Sequence, residues 1–266
     1  MAVVETDRTG QVFIVRMNRP ERLNALNTEM RQMLAEAWTE FRHSKELEVA
    51  IFTGIGRGFC AGEDMKESLV AGRPGGTRPS LADPFMDGTL EKPVIAAING
   101  FAMGGGFMLV ERADLRVAVP EALFEVSEAK RWLLGGYNHG HLANLPYPIA
   151  MEMALGFRFT AERFYQLGFL NRLAPPAELI ATAMTMAEHL LSLPPASRVN
   201  TVYMMRQMRP EPTPSHKALA AKLHDHGDKS DLMESRAAFS EKRKPNFKGW
   251  LDPQDRYRMP KLNDKT

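Results

Sequence analysis

The sequence predicts an α/β protein, with a parallel sheet in its first half and a helical region after it, and three observations carry that prediction. Short apolar runs at 12–17, 49–53, 94–98 and 115–119 are each bounded by Asn, Gly or Pro and read as strands. Between the first two lies a stretch, 27–43, in which Met30, Met33, Leu34, Ala37, Trp38 and Phe41 recur at three- and four-residue spacing, the mark of one buried helical face. Beyond residue 140 the pattern is mainly helical, at 149–155, 161–167, 177–193 and a long amphipathic stretch 197–239. Alternation of strand and helix up to residue 120 argues for βαβ units.

Taken in order, the run 12–17 is a strand ended by Asn18-Arg-Pro20, and Gly54-Ile-Gly-Arg-Gly-Phe-Cys-Ala-Gly62 is a glycine-rich loop after the strand at 49–53. Glu63 onward turns helical, and the Gly- and Pro-bearing stretch 72–87 reads as a mobile loop. The run 94–98 leads into Gly104-Gly-Gly106 and a helix through Asp114. Three glycines let the backbone approach a ligand, and a helix start leaves peptide N–H groups where the macrodipole favours negative charge. Most such triplets are plain tight turns, so the neighbours decide. The tail after Trp250 is polar and expected to be loosely held.

Composition narrows the function. With 266 residues, 44% of them hydrophobic, there is material for a sizeable core; a net charge of +2 gives no case for a nucleic-acid partner. One cysteine, Cys60, excludes an internal disulfide, and no apolar leader or membrane-length run appears, so a cytoplasmic location with no membrane partner is expected. Walker-type loops, His-Glu-x-x-His and Cys-x-x-Cys are absent, so no metal site is expected. The 17 methionines, grouped at Met151, Met153, Met184, Met186, Met204, Met205 and Met208, read as core or subunit-interface filling.

Five segments in register resemble the crotonase superfamily, the enoyl-CoA hydratase/isomerase group. They are Asn18-Arg-Pro-Glu-Arg-Leu-Asn-Ala-Leu26, Gly58-Phe-Cys-Ala-Gly-Glu-Asp-Met-Lys66, Asn99-Gly-Phe-Ala-Met-Gly-Gly-Gly106, Ala122-Leu-Phe-Glu-Val-Ser-Glu128 and Phe239-Ser-Glu-Lys-Arg-Lys-Pro-Asn-Phe-Lys248, the last like a C-terminal helix end. The resemblance spans roughly residues 5–250. It implies a crotonase-like spiral of ββα units with two near-perpendicular sheets and a C-terminal helical trimerisation region. The expected division is 1–195 for the catalytic core and 196–266 for the helical region and tail, and the expected assembly is a homotrimer or hexamer.

The same resemblance implies an oxyanion hole formed by the peptide N–H groups of Ala61 and Gly105, stabilising the enolate of a thioester. No cofactor is expected to be permanently bound. Coenzyme A arrives as part of the acyl-CoA substrate, across Arg22, Leu23, Asp64, Met65 and Lys66, with Lys244, Phe247 and Lys248 reaching its phosphates or adenine. Hydratases of the family use two glutamates. Glu128, fourteen residues after Asp114, matches the second; Met108 stands where the first belongs and can neither activate water nor give a proton.

Glu111, one turn further along, can approach the same face as Met108 and is more simply a polar helix residue. A second departure follows Glu128. Arg131-Trp-Leu-Leu-Gly-Gly-Tyr-Asn-His-Gly-His-Leu142 replaces a small, glycine-rich stretch and puts Tyr137, Asn138, His139 and His141 in a segment that borders the acyl pocket in the family. Histidine titrates near neutral pH, so His139 or His141 can serve as a second acid or base. The leading expectation is an acyl-CoA enzyme moving a proton through one glutamate, with isomerisation slightly ahead of hydration. The alternatives are a CoA-independent β-diketone hydrolase using histidine, and a non-catalytic CoA-binding member.

Overall fold

The computed structural model describes residues 2–72, 81–132 and 134–262. The chain forms two compact units, each assembled from three segments: 1–64, 75–125 and 158–209 in the first, and 65–74, 126–157 and 210–266 in the second. Part of the stretch expected to be a mobile loop, 73–80, lies outside the described residues.

The first unit holds every strand: β1 (Val4–Thr9), β2 (Val12–Met17), β3 (Val49–Gly54), β4 (Gly58–Cys60), β5 (Val94–Ile98), β6 (Phe101–Met103), β7 (Leu115–Ala118), β8 (Leu123–Glu125), β9 (Arg158–Thr160) and β10 (Arg172–Leu173). Six of them form one sheet in the order β1-β2-β3-β5-β7-β10; the other four form a second, β4-β6-β8-β9. Only the β1–β2 hairpin and the β8–β9 pair are antiparallel. Every residue of β5 is buried, as expected of a central strand in a parallel sheet covered on both faces. The three-residue strands β4, β6, β8 and β9 are too short to show any period in the sequence.

The helices of this unit are α1 (Thr28–His43), α3 (Gly105–Arg112), α6 (Ala161–Gln166), α7 (Leu179–Ser192) and α8 (Pro195–Gln207); the second unit holds α2 (Met65–Ala71), α4 (His139–Leu142), α5 (Tyr147–Ala154), α9 (Pro214–His224) and α10 (Ser230–Ser240). The boundary expected at residue 195 falls inside the first unit, at the junction of α7 and α8.

Asn27 caps α1 by accepting a hydrogen bond from the Met30 N–H at 2.9 Å. The apolar stripe then buries Met30, Leu34, Ala37, Trp38 and Phe41. Trp38 stacks on Phe85 (4.7 Å between ring centroids) and meets Phe52 edge-on at 5.2 Å. A second aromatic cluster positions the glycine turn. Phe164 of α6 lies 4.9 Å from Phe124, 4.7 Å from Phe159 and 6.0 Å from Phe107, the residue that follows the triplet.

The stretch 197–239 is three helices, α8, α9 and α10, where the sequence suggested one long amphipathic run. Pro210, Pro212 and Pro214 cannot continue α8, and the Thr213 hydroxyl caps the new start by accepting from the His216 N–H at 3.2 Å. Met153 and Met186 are core, whereas Met204, Met205 and Met208 are exposed. In the second unit α4 and α5 cross closely: a Cβ on Gly140 would sit 2.5 Å from Ala150, so only glycine fits there.

Candidate functional site

The candidate residues fall on both units. In the first, Asn24 organises the loop. Buried and at φ +56°, it accepts from the Arg19 N–H at 2.8 Å and donates to the carbonyls of Gly58 (2.8 Å) and Ile55 (3.1 Å). Arg19 in turn donates to the Ala25 carbonyl at 2.6 Å and pairs with Asp64 at 3.0 Å. These bonds join the segment 18–26 to the glycine-rich loop and give the Arg-Pro and Asn-Ala-Leu residues a structural task. Arg22 is exposed and Leu23 half-buried, with Leu23 at φ +51°.

The Leu23 carbonyl accepts the Ala61 N–H at 2.9 Å. That spends the donor which the sequence comparison assigned to an oxyanion, and a neighbouring peptide is better aimed. Leu26 and Glu63 form a parallel bridge in which the Leu26 N–H bonds the Gly62 carbonyl (2.7 Å) and the Asp64 N–H bonds the Leu26 carbonyl (3.2 Å). Successive peptide groups of an extended chain alternate sides, so the Glu63 N–H faces away from Leu26. On that side its nitrogen lies 3.9 Å from where a Cβ on Gly105 would be. The Gly105 nitrogen is itself 3.1 Å from the position of a Cβ on Gly62, which stands at φ +87°. Two glycines are therefore required for the backbones of 62–63 and 104–105 to run this close.

Gly105 opens α3, within the turn whose N–H groups have no acceptor inside the helix and carry its positive end. The other end of α3 is clamped by cations. The Arg116 guanidinium donates to the carbonyls of Val110 (2.9 Å), Glu111 (2.8 Å) and Ala113 (2.8 Å), and Arg209 adds bonds to Glu111 (3.3 Å) and Ala113 (3.2 Å). Burial lowers the Arg116 pKa to about 10, which still leaves it charged at neutral pH. Met108 is half-buried in the middle of α3, while Glu111 is buried. Asp114 is held by Arg206 (2.8 and 2.7 Å) and by the Val94 N–H (2.8 Å).

In the second unit, Glu128 and His139 come together. His139 Nε2 lies 3.8 Å from Glu128 Oε1, and their side chains are 6% and 13% exposed. Eleven residues of irregular chain separate the two, so no spacing rule links them. His141, two residues on along α4, is exposed, as is Tyr137. Met65 is half-buried and Lys66 exposed, both at the start of α2.

The segment expected to be a C-terminal helix end is helical only through Ser240; Lys242 at φ +55° turns the chain into an extended run. That run is fastened to α10. Glu234 accepts from Arg243 (2.5 Å) and the Asn246 N–H (2.7 Å), and buried Asp231 accepts the N–H groups of Lys248 and Gly249, each at 2.8 Å. The side chains of Lys244, Phe247 and Lys248 are exposed.

Among the described residues, no group of three or more His, Cys, Asp or Glu side chains is arranged to hold a metal ion, and no helix is long and apolar enough to cross a membrane. Cys60 is buried; its thiol bonds the Asn24 carbonyl at 3.1 Å, and desolvation pushes its pKa up to about 12.

The family model for enoyl-CoA hydratase/isomerase matches residues 7–250. An enoyl-CoA hydratase, EchA19, of Mycobacterium tuberculosis is 33% identical over 93% of this chain and 99% of its own length. The (E)-benzylidenesuccinyl-CoA hydratase of Thauera aromatica is also 33% identical, over 92% of this chain and 99% of its own. Among solved structures, a carnitinyl-CoA hydratase from Mycobacterium avium superposes with a TM-score of 0.80 at 26% identity, covering 93% of this chain and 99% of that one. An enoyl-CoA hydratase from Mycobacterium tuberculosis does so with a TM-score of 0.71 at 33% identity, covering 92% and 98%.

Proposed function

Because the chain belongs to the enoyl-CoA hydratase/isomerase family, we propose that it acts on an acyl-CoA thioester through an enolate. The peptide N–H groups of Glu63 and Gly105 are the oxyanion donors, and Glu128 carries the proton. The observation that bears most weight is the close approach of the Gly62–Glu63 backbone to Gly105 at the start of α3. Two peptide donors there meet charge as it develops on the thioester oxygen, and one such donor is worth about 10²–10³ in rate. Coenzyme A is assigned to the Arg22-Leu23 and Asp64-Met65-Lys66 segments. Lys244, Phe247 and Lys248 are candidates for its phosphates and adenine, their side chains being exposed.

The reaction most compatible with Met108 is movement of a double bond. A single carboxylate takes a proton from the carbon next to the thioester, the enolate delocalises the charge, and the same carboxylate returns the proton further along the chain. Hydration is the second reading, favoured by the Glu128–His139 approach of 3.8 Å, which supplies a second titratable group where the α3 position supplies none. Incubation with 3-enoyl-CoA and 2-enoyl-CoA, products resolved by chromatography, separates the two. Conversion of 3-enoyl to 2-enoyl thioester that drops by about 10²–10⁴ in Glu128→Gln supports the first. Formation of 3-hydroxyacyl-CoA, lost in both Glu128→Gln and His139→Gln, supports the second. Turnover that survives Glu128→Gln overturns both, and retention of activity on a free diketone without CoA retention points to histidine-assisted carbon–carbon hydrolysis.

A further inference from the structure

The second unit contains a cavity of about 500 Å³ among α4, α5, α9 and the turn at 134–137. Its lining is Leu, Ala, Met and Pro together with Tyr137, Tyr147, His141 and His216, and none of the lining residues is Asp, Glu, Lys or Arg. Such a wall offers nothing to the phosphates of a nucleotide-bearing ligand and suits a neutral apolar group.

The cavity is tied to the Glu128–His139 pair by a very short piece of chain. α4 is four residues long; His139 approaches Glu128, and His141, on the other side of Gly140, forms part of the cavity wall. At a rise of about 1.5 Å per helical residue, the two histidine backbones are only a few ångströms apart. At the floor, Gly140 rests on Ala150, a contact that any larger residue at 140 would force open. On the rim His216 is oriented by its own helix cap. The Thr213 hydroxyl accepts the His216 N–H, so its proton points to Nδ1 at 2.8 Å and leaves Nε2 as a donor.

We propose, resting on the acyl-CoA reading above, that this cavity seats the distal part of the acyl group, and that the preferred substrates carry a large apolar acyl chain of about ten or more carbons. The volume decides the class. At roughly 30 Å³ per water, 500 Å³ is far more than a four-carbon acyl group displaces, and a short substrate would leave the apolar wall wet. A long chain whose reacting carbons lie at Glu128 runs past α4 into the space that His141, Leu219 and Ala220 enclose.

The test is a binding series by calorimetry with hexadecanoyl-CoA, butanoyl-CoA and free hexadecanoate, on the wild-type chain, Ala220→Trp and Leu223→Trp, with circular dichroism and light scattering on each. Hexadecanoyl-CoA is expected to bind at least tenfold more tightly than butanoyl-CoA to the wild-type chain. Either tryptophan should bring the two within about threefold, with butanoyl-CoA affinity and molecular mass unchanged. Equal affinity for the two thioesters in the wild-type chain, or a preference untouched by both folded variants, overturns the proposal. So does a tryptophan that changes the molecular mass, which would make this face an interface between copies. Binding of hexadecanoate, blocked by tryptophan, without binding of either thioester sustains the cavity assignment while sinking the CoA reading.

Discussion

Gly62, Gly105 and Gly106 show how single residues hold the proposed oxyanion donors in place. A Cβ on Gly62 would lie 2.5 Å from the Met103 carbonyl oxygen, and one on Gly106 would lie 2.1 Å from that of Cys60, contacts that backbone cannot relieve. The motif positions of these glycines are legible in the sequence. Which N–H each loop offers is not, because Ala61 and Glu63 differ only in which side of an extended chain their peptides face, and that is set by pairing with Leu23 and Leu26. Cys60 gives a prediction at this scale. Its usual pKa near 9.0 rises to about 12 on burial. Below pH 9 the thiol is protonated whether the chain is folded or not, and its burial is not opposed by ionisation. Between pH 9 and about 12 the unfolded chain releases the proton and the folded chain keeps it, so stability falls by up to ~1.4 kcal/mol per pH unit. Urea midpoints at pH 8 and pH 10 should diverge in the wild-type chain and converge in Cys60→Ala.

At the scale of elements, α3 is the part on which the proposed chemistry depends. Its sequence, Gly105-Gly-Phe-Met-Leu-Val-Glu-Arg112, has a weak start and no intrinsic stop, yet its termini are fixed: Phe107 is packed against Phe164 and Phe169, and the last carbonyls are held by Arg116 and Arg209. Arg116→Met should cost about 3 kcal/mol, since it removes the donors of three carbonyls, each worth roughly 1–3 kcal/mol if left unsatisfied and Arg209 covering part of the loss. Turnover should fall with it. Arg116→Lys should rescue little, because an ammonium cannot span the three acceptors as a planar fork does; urea denaturation and steady-state rates check both. The long amphipathic pattern at 197–239 was readable as helix, whereas its division was signalled only by the prolines at 210, 212 and 214.

Across the first unit, one side chain fastens segments far apart in sequence. Arg206 of α8 reaches Asp114 with two bonds (2.8 and 2.7 Å), the Lys92 carbonyl at 3.1 Å and the Leu90 carbonyl. Arg206→Met is expected to destabilise by about 3 kcal/mol, because Asp114 is only 12% exposed and loses its counter-charge; thermal and urea melts should show it, and Arg206→Met with Asp114→Asn should recover part of the loss. What the sequence by itself determined is the class and the chemistry on offer. Strand–helix alternation, the two glycine segments, Glu128 and the methionine at 108 are local patterns of residue type, and residue type is what a sequence records. The tertiary structure decided which groups meet: the Glu63 peptide beside Gly105, His139 at 3.8 Å from Glu128, and a charge-free cavity walled by helices from separate segments. Those are long-range contacts, set by how the chain packs its apolar surface, and no spacing along the chain encodes them.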